Sequence, residues 1–214
     1  MTIVPLSDRP LDPTRTALVM IECQNEWLAP DGKLQVVIAD RPAFDTAVDG
    51  ARSLLASARD AGLNIAHVGL RFSPDYGELG QGGFGLRAAI RHHRTFAHGT
   101  PAADFARGFT PRATEFVAQG RTGASAFAGS NLDAWARHNG IDTLIFAGFA
   151  LHVCVESSLR AAHDLGYAAY VASDASAAFT AAQRDHVLTH VVPHFGRAAT
   201  NDALCAMFTQ EAAA

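Results

Sequence analysis

Lysine is almost absent from this sequence of 214 residues, in which Lys33 stands beside 16 arginines. The formal net charge is -4, and the basic residues are not grouped in runs. A chain of this kind offers no basic field for nucleic acid or for an anionic membrane surface. We therefore expect no nucleic-acid partner and no membrane partner.

Cysteine is also scarce, and Cys23, Cys154 and Cys205 show no CxxC spacing. This odd, widely spaced set fits a reducing compartment better than a disulfide framework or a zinc cluster. No uninterrupted apolar run approaches the ~20 residues of a membrane helix. The first residues lack the basic start and apolar core of a secretory signal. These absences predict a cytoplasmic protein.

Strand-like and helix-like patterns alternate along the chain. Apolar runs typical of buried parallel strands occur at residues 16–21, 63–70, 115–118, 142–147, 167–172 and 197–200. Helical patterns occur at residues 44–61, 130–138, 152–165 and 181–192, and a further helix follows residue 200. Pro193 is expected to stop the fourth helix, and Asn201 is expected to cap the last one. The alternation predicts an α/β fold with a doubly wound, mainly parallel six-stranded sheet and helices on both faces. We predict one domain over residues 1–214, with an extended lead-in over residues 1–15.

The least regular part of the sequence is residues 71–115. Residues 80–85 satisfy the pattern GxGxxG, but about ten loop residues separate them from the preceding strand, whereas a dinucleotide site requires the turn directly after a strand. We interpret this stretch as a flexible loop or lid. His92, His93 and His98 lack a usual metal-ligand spacing, so we interpret them as surface histidines. We predict no metal and no cofactor.

Cys154 follows an apolar run and opens a helical pattern, so it is expected at a strand-to-helix turn. Backbone N–H groups at a helix N-terminus favour a thiolate and can also hold an oxyanion. The hypothesis is that Cys154 is a nucleophile. The alternative is that it is a small, buried apolar residue, as free cysteines often are.

Glu22 and Arg121 also follow predicted strands at their carboxyl ends. In a parallel sheet these ends share one edge, so both side chains can converge with Cys154 on one crevice. A thiol needs a neighbouring base to become a good nucleophile and a nearby cation to stabilise its thiolate. Glu22 can supply the base and Arg121 the cation.

Three segments around these residues resemble the signature blocks of the isochorismatase-like cysteine hydrolases. The segments are TALVMIECQNEW (16–27), GRTGASAFAGSNL (120–132) and GFALHVCV (148–155). The resemblance runs from about residue 16 to 208. The family includes nicotinamidases, N-carbamoylsarcosine amidases and ureidoacrylate amidohydrolases. It implies a six-stranded parallel sheet, an Asp, Lys, Cys triad and a dimer or tetramer.

Carried over by position, the resemblance makes Cys154 the nucleophile and places Glu22 and Arg121 where the family has Asp and Lys. It also implies a cis peptide bond between Phe149 and Ala150, and an oxyanion hole formed by the N–H groups of Ala150 and Cys154. Two departures stand out. Glutamate is one methylene longer than aspartate, and an arginine is always protonated and spreads its charge over a planar fork. The nicotinamidase metal pattern has no match at residues 71–79.

The resemblance and the residues together predict hydrolysis of a C–N bond in a small amide, ureido or carbamoyl substrate through a thioester. The aromatic residues expected to wall the pocket are Trp27, Phe72, Tyr76, Phe84 and Phe149.

Three alternatives remain open on the sequence alone. The first is a catalytically weak or inactive relative that acts as an oligomeric binding protein, and Glu22 and Arg121 motivate it. The second is a vinyl ether hydrolase of the isochorismatase type, which does not need the cysteine. The third is nucleotide or flavin binding at the sheet's switch point, which the lack of a Gly-rich turn after Glu22 argues against.

Overall fold

The computed structural model describes residues 10–209, without the side chain of residue 209. The sequence predicts an extended lead-in over residues 1–15, and residues 1–9 of it lie outside the described residues. No helix among residues 10–209 combines the length and the apolar character needed to cross a membrane.

Six parallel strands form one sheet, which confirms the predicted fold class. They are β1 (Thr16–Ile21), β2 (Asn64–Val68), β3 (Phe116–Val117), β4 (Thr143–Phe149), β5 (Ala168–Ala177) and β6 (Arg197–Ala199), in the order β3-β2-β1-β4-β5-β6. Because β1 pairs with both β2 and β4, the order reverses beside β1. Ligands of open α/β sheets bind outside the carboxyl ends of the strands at such a switch point.

Helices cover both faces of the sheet. They are α1 (Asn25–Leu28), α2 (Arg41–Asp60), α3 (Gly85–His93), α4 (Leu132–His138), α5 (Glu156–Asp164), α6 (Ala181–His186), α7 (Val192–Phe195) and α8 (Asn201–Thr209). Short 3₁₀ turns occur at Lys33–Val37, Gly77–Leu79 and Pro101–Ala103, and π turns occur at Leu151–Val155 and Val187–Val191.

The side chains of β1 show how the two layers divide. Leu18 and Met20 point to the core that contains α2 and α8, whereas Val19 and Ile21 point to the core that contains α4 and α5. Every residue of β1 is buried. A strand covered on both faces reads as a continuous apolar run, which is why the sequence predicts it residue for residue.

The carboxyl ends of β1 and β4 approach each other closely. Gly148 has a φ of 128°, and a Cβ at this position would meet the carbonyl oxygen of Ile21 at 2.0 Å. Only glycine fits there. This contact places Glu22, which follows β1, beside the segment that carries Cys154.

The structure corrects three local predictions. Pro193 does not stop a helix, because the π turn Val187–Val191 precedes it and Pro193 lies in the first turn of α7, where its missing N–H is not needed. The side chain that caps α8 is that of Thr200, whose Oγ1 accepts from the N–H of Ala203 at 3.2 Å, and not that of Asn201. The supposed loop at 71–115 contains the helix α3.

Glu115 ties the outer edge of the sheet to α2. Its carboxylate accepts from Arg59 at 2.7 and 2.8 Å, from the backbone N–H of Arg112 at 2.8 Å, and lies 2.9 Å from Nε2 of the buried His67. Burial raises the pKa of Glu115, but the hydrogen bonds from Arg59, Arg112 and His67 outweigh it and hold the pKa at about 2.

We expect this carboxylate to make folding sensitive to acid. A depressed pKa in the folded state stabilises the protein above the ordinary value of 4.5, and the contribution is lost as the pH falls from there through about 2. Glu115→Gln should lower the free energy of unfolding near neutral pH by about 2 kcal/mol and flatten its pH dependence between those values. Urea unfolding at a series of pH values tests this, and parallel curves for the two proteins would contradict it.

Candidate active site

Cys154 lies in the π turn Leu151–Val155 that directly follows β4. Single π turns are rare and occur often at functional sites. Ser158, one turn further along, holds this segment in place. Its hydroxyl donates to the Cys154 carbonyl at 2.6 Å and accepts from the Ala126 N–H at 2.8 Å. The cysteine turn is thereby fixed to the loop that carries Arg121.

The peptide bond between Phe149 and Ala150 is cis. The Ala150 carbonyl accepts from the N–H groups of Val153, Cys154 and Val155 at 3.1, 3.0 and 3.3 Å. The sequence predicts that the N–H groups of this turn face outward. In the structure the N–H of Cys154 is shared with this carbonyl, whereas the Ala150 N–H donates to no group among residues 10–209.

Glu22 is the first residue after β1 and has a positive φ of 52°, which is uncommon for a residue other than glycine. Glu22 is 1% exposed, and both oxygens of its carboxylate accept a hydrogen bond. Oε1 accepts from Arg121 at 2.7 Å, and Oε2 accepts from Nε1 of Trp27 at 3.0 Å. The carboxylate is therefore held in one orientation from two sides.

Arg121 is buried, and its guanidinium organises the loop around it. Nε donates to the carbonyls of Gly123 and Ser125 at 3.0 and 3.2 Å, and the terminal nitrogens donate to those of Val68 and Ala124 at 3.4 and 2.5 Å. Burial lowers the pKa of Arg121, but Glu22 and Cys154 outweigh it and raise the pKa. The side chain is a permanent cation with its donors committed to this loop and to Glu22.

The thiol of Cys154 interacts with both Glu22 and Arg121, so the structure brings these three predicted residues together. Burial raises the pKa of the thiol, the Glu22 carboxylate raises it further, and Arg121 lowers it by less. The net change is upward. This direction differs from the thiolate that the sequence predicts at a helix N-terminus, because burial and the Glu22 carboxylate outweigh Arg121. The resting group is a neutral thiol that needs a base when it reacts.

A cavity of about 210 Å³ opens onto Cys154, Glu22 and Ala150. Trp27, predicted for the wall, lines it. The other side chains around it are mainly apolar and include Leu34, Leu86, Ile90, Phe96, Val153 and Phe179.

The other four aromatic residues predicted for the pocket wall do not line this cavity. Phe72 and Tyr76 are buried against each other with ring centroids 6.0 Å apart, and Phe149 packs on Phe44 at 4.7 Å. Phe84 is 93% exposed. The wall prediction is thus wrong for Phe72, Tyr76, Phe84 and Phe149.

The wall that the sequence reasoning missed comes largely from α3 and the residues after it. Leu86 and Ile90 are spaced four residues apart, and this helical spacing, in a stretch interpreted as a loop, was the available signal for the wall.

Glu26 connects two segments of the cavity wall, one that begins at Lys33 and one that contains Phe96. Its carboxylate accepts from the N–H of Lys33 and from the N–H of Phe96, both at 3.2 Å.

None of the described residues form a cluster of three or more histidine, cysteine or acidic side chains that could hold a metal ion. His92 and His93, which sit edge to face with centroids 4.8 Å apart, are both exposed.

The chain is similar to known proteins of one family. The isochorismatase domain model matches residues 16–203. The chain is 30% identical to a ureidoacrylate amidohydrolase of Methylorubrum extorquens over 176 residues, which cover 77% of this chain and 71% of the relative. It is also 30% identical to a maleamate amidohydrolase of Pseudomonas putida, over 72% of this chain and 68% of the relative.

A solved structure has the same fold. The cysteine hydrolase from Pseudomonas syringae pv. phaseolicola superimposes with a TM-score of 0.80 at 22% identity, covering 93% of this chain and 94% of that one. Together with the match over residues 16–203, this likeness leads to one assignment: the chain belongs to the isochorismatase family.

Proposed function

We propose that this protein hydrolyses the C–N bond of a small amide, ureido or carbamoyl compound through a thioester on Cys154. The relatives with 30% identity are amidohydrolases, which supports an enzyme acting on C–N bonds other than peptide bonds. The observation that carries the proposal is the single buried cluster of Cys154, Glu22 and Arg121 beneath an apolar cavity.

In the first half of the reaction, Glu22 accepts the thiol proton as the sulfur of Cys154 attacks the substrate carbonyl. A protonated resting thiol makes this transfer part of the attack, and both side chains line the same cavity. Glu22 then gives the proton to the departing ammonia or amine, and the C–N bond breaks to leave a thioester. In the second half, Glu22 takes a proton from water, and the hydroxide attacks the thioester carbonyl. The C–S bond then breaks, and Glu22 returns the proton to the sulfur, which releases the acid and restores the thiol.

The negative oxygen that forms at the substrate carbonyl needs hydrogen-bond donors. In this proposal the N–H groups of Ala150 and Cys154 supply them. The Ala150 N–H has no acceptor among the described residues. The Cys154 N–H donates to the Ala150 carbonyl at 3.0 Å and would have to share its hydrogen with the oxyanion.

Arg121 does not take part in proton transfer in this scheme, because a guanidinium stays protonated. Its role is to hold Glu22 through the 2.7 Å ion pair and to offset the negative charge that moves between Cys154 and Glu22. A cytoplasmic location and a homo-oligomer remain predictions from the sequence.

The direct test is a screen for ammonia release over small amides, ureas and carbamoyl compounds. Turnover of at least one class is expected, and no release from any class would contradict the proposal.

Glu22→Gln is expected to lower kcat by about 10²- to 10⁴-fold, because glutamine cannot accept the thiol proton. KM should change little, since the shape of the cavity floor is kept. Steady-state kinetics on any substrate from the screen measures both constants.

Glu26→Gln is the matched control for this variant. It changes a buried carboxylate that holds the cavity walls and does not contact the thiol, so KM should rise while kcat stays within about tenfold. Equal kcat values for Glu22→Gln and the unaltered enzyme would show that Glu22 is not the base that accepts the thiol proton.

A further inference from the structure

The cavity above Cys154 lacks a side chain suited to an anionic group. Lys and Arg do not contribute to its wall among the described residues. Arg121 lies below, and its donors already serve Glu22 and four backbone carbonyls. The titratable base at the wall is His93, which is exposed and belongs to the last turn of α3.

The acidic side chain in the cavity wall is Glu22, and its charge is already paired with Arg121. Glu22 lies at the floor, so a second carboxylate in the cavity would face an acidic side chain without a free cation to pair with it. Burying an unpaired charge is strongly unfavourable. Hydrocarbon, in contrast, would be removed from water against Leu34, Leu86, Ile90, Phe96 and Phe179, which is favourable.

Thr95 adds one uncharged polar group to the wall. It is 2% exposed, and its hydroxyl has no hydrogen-bond partner among the described residues. Buried hydroxyls are normally paired, so this one is available to a neutral polar atom of a ligand. The cavity volume of about 210 Å³ is below the roughly 300–1,000 Å³ of pockets for drug-sized ligands, so the hydrocarbon part is short.

We infer that the substrate is an uncharged amide whose acyl part is a short hydrocarbon chain, and that amides with a carboxylate at the far end are excluded. This inference rests on the proposed function, because it concerns the substrate of the same site. It narrows the amide, ureido and carbamoyl classes to members without a negative charge beyond the scissile bond.

The test compares two amides of equal size, succinamate and isocaproamide, in which an isopropyl group replaces the carboxylate. We expect kcat/KM for isocaproamide to exceed that for succinamate by at least about 100-fold. Binding of both amides to Cys154→Ala by calorimetry gives a second readout that does not need turnover, and the same preference is expected there. Equal or tighter binding of succinamate would overturn the inference.

The two readouts separate the inference from the proposed function. Preferential binding of isocaproamide without ammonia release by the unaltered enzyme would support the inference and count against the proposed hydrolysis. Faster turnover of succinamate would support hydrolysis and overturn the inference.

A charge placed at the wall provides an independent check. Leu86 is 38% exposed on α3, so an arginine can extend to the cavity rim from this position. Leu86→Arg should reduce the preference for isocaproamide by at least about tenfold by pairing with the succinamate carboxylate. Leu86→Gln removes the same apolar contact without adding a charge, so it should reduce the preference by clearly less than Leu86→Arg does, and equal effects of the two variants would count against the inference.

Discussion

Replacement of Cys154 with alanine is expected to lower kcat for amide hydrolysis by at least about 10⁴-fold, because the alanine side chain cannot form the acyl intermediate. Cys154 is 3% exposed and lies with Glu22 at the floor of the cavity. Ammonia release measures the loss, and circular dichroism with thermal unfolding should show a folded protein.

Two further variants define the role of the thiol. Cys205→Ala removes the half-buried cysteine of α8 and should retain kcat within about twofold. Cys154→Ser keeps a small nucleophile but lowers its acidity, so it should be nearly as inactive as the alanine variant. Turnover that survives in Cys154→Ala would contradict the mechanism and would fit a reaction that does not use the cysteine.

The second large effect concerns stability. Arg121→Met should lower the free energy of unfolding by about 3–5 kcal/mol, because it leaves the Glu22 carboxylate buried without its cation. The carbonyls of Gly123, Ser125 and Ala124 also lose their donor. Arg121→Lys should cost less, since it keeps the charge, but an ammonium has three donors and no planar fork. Urea unfolding at neutral pH measures both.

A surface ion pair provides the comparison. Arg15 and Asp142 are bonded, but their side chains are 56% and 49% exposed, so Arg15→Met should have little effect on the free energy of unfolding. The double variant Glu22→Gln, Arg121→Met should be less destabilised than the sum of the two single variants. A cost for Arg121→Met as small as that for Arg15→Met would show that the buried pair does not stabilise the site.

The framework of the site could be predicted from the sequence because it depends on buried strands. β1 and β4 are buried on both faces and read as continuous apolar runs, so the sequence shows where each strand lies, and parallel pairing brings their carboxyl ends to one edge. This logic placed Glu22, Arg121 and Cys154 together without any knowledge of side-chain contacts.

The pocket wall could not be predicted in the same way. Phe72 and Phe96 belong to one irregular segment, and a backbone hydrogen bond of 3.0 Å joins them, yet Phe96 lines the cavity and Phe72 does not. Which of two aromatic side chains faces a cavity is decided by tertiary packing, which residue type and spacing do not encode.

The protonation state of the Cys154 thiol could not be predicted from the sequence either. The helical pattern at residues 152–165 does not distinguish an α turn from the π turn at Leu151–Val155. The carbonyl of Ala150 takes the N–H groups that were expected to favour a thiolate. Burial and Glu22 then raise the pKa of Cys154.

The central claim is a thioester on Cys154, and trapping that intermediate tests it most directly. The enzyme would be mixed with an excess of a turned-over amide, quenched in acid within the first turnovers, digested and analysed by mass spectrometry. We predict the mass of the acyl group on the peptide that carries Cys154, and its loss after treatment with hydroxylamine. Ammonia release without an acyl group on Cys154, or with the acyl group on Cys23 or Cys205, would contradict the account.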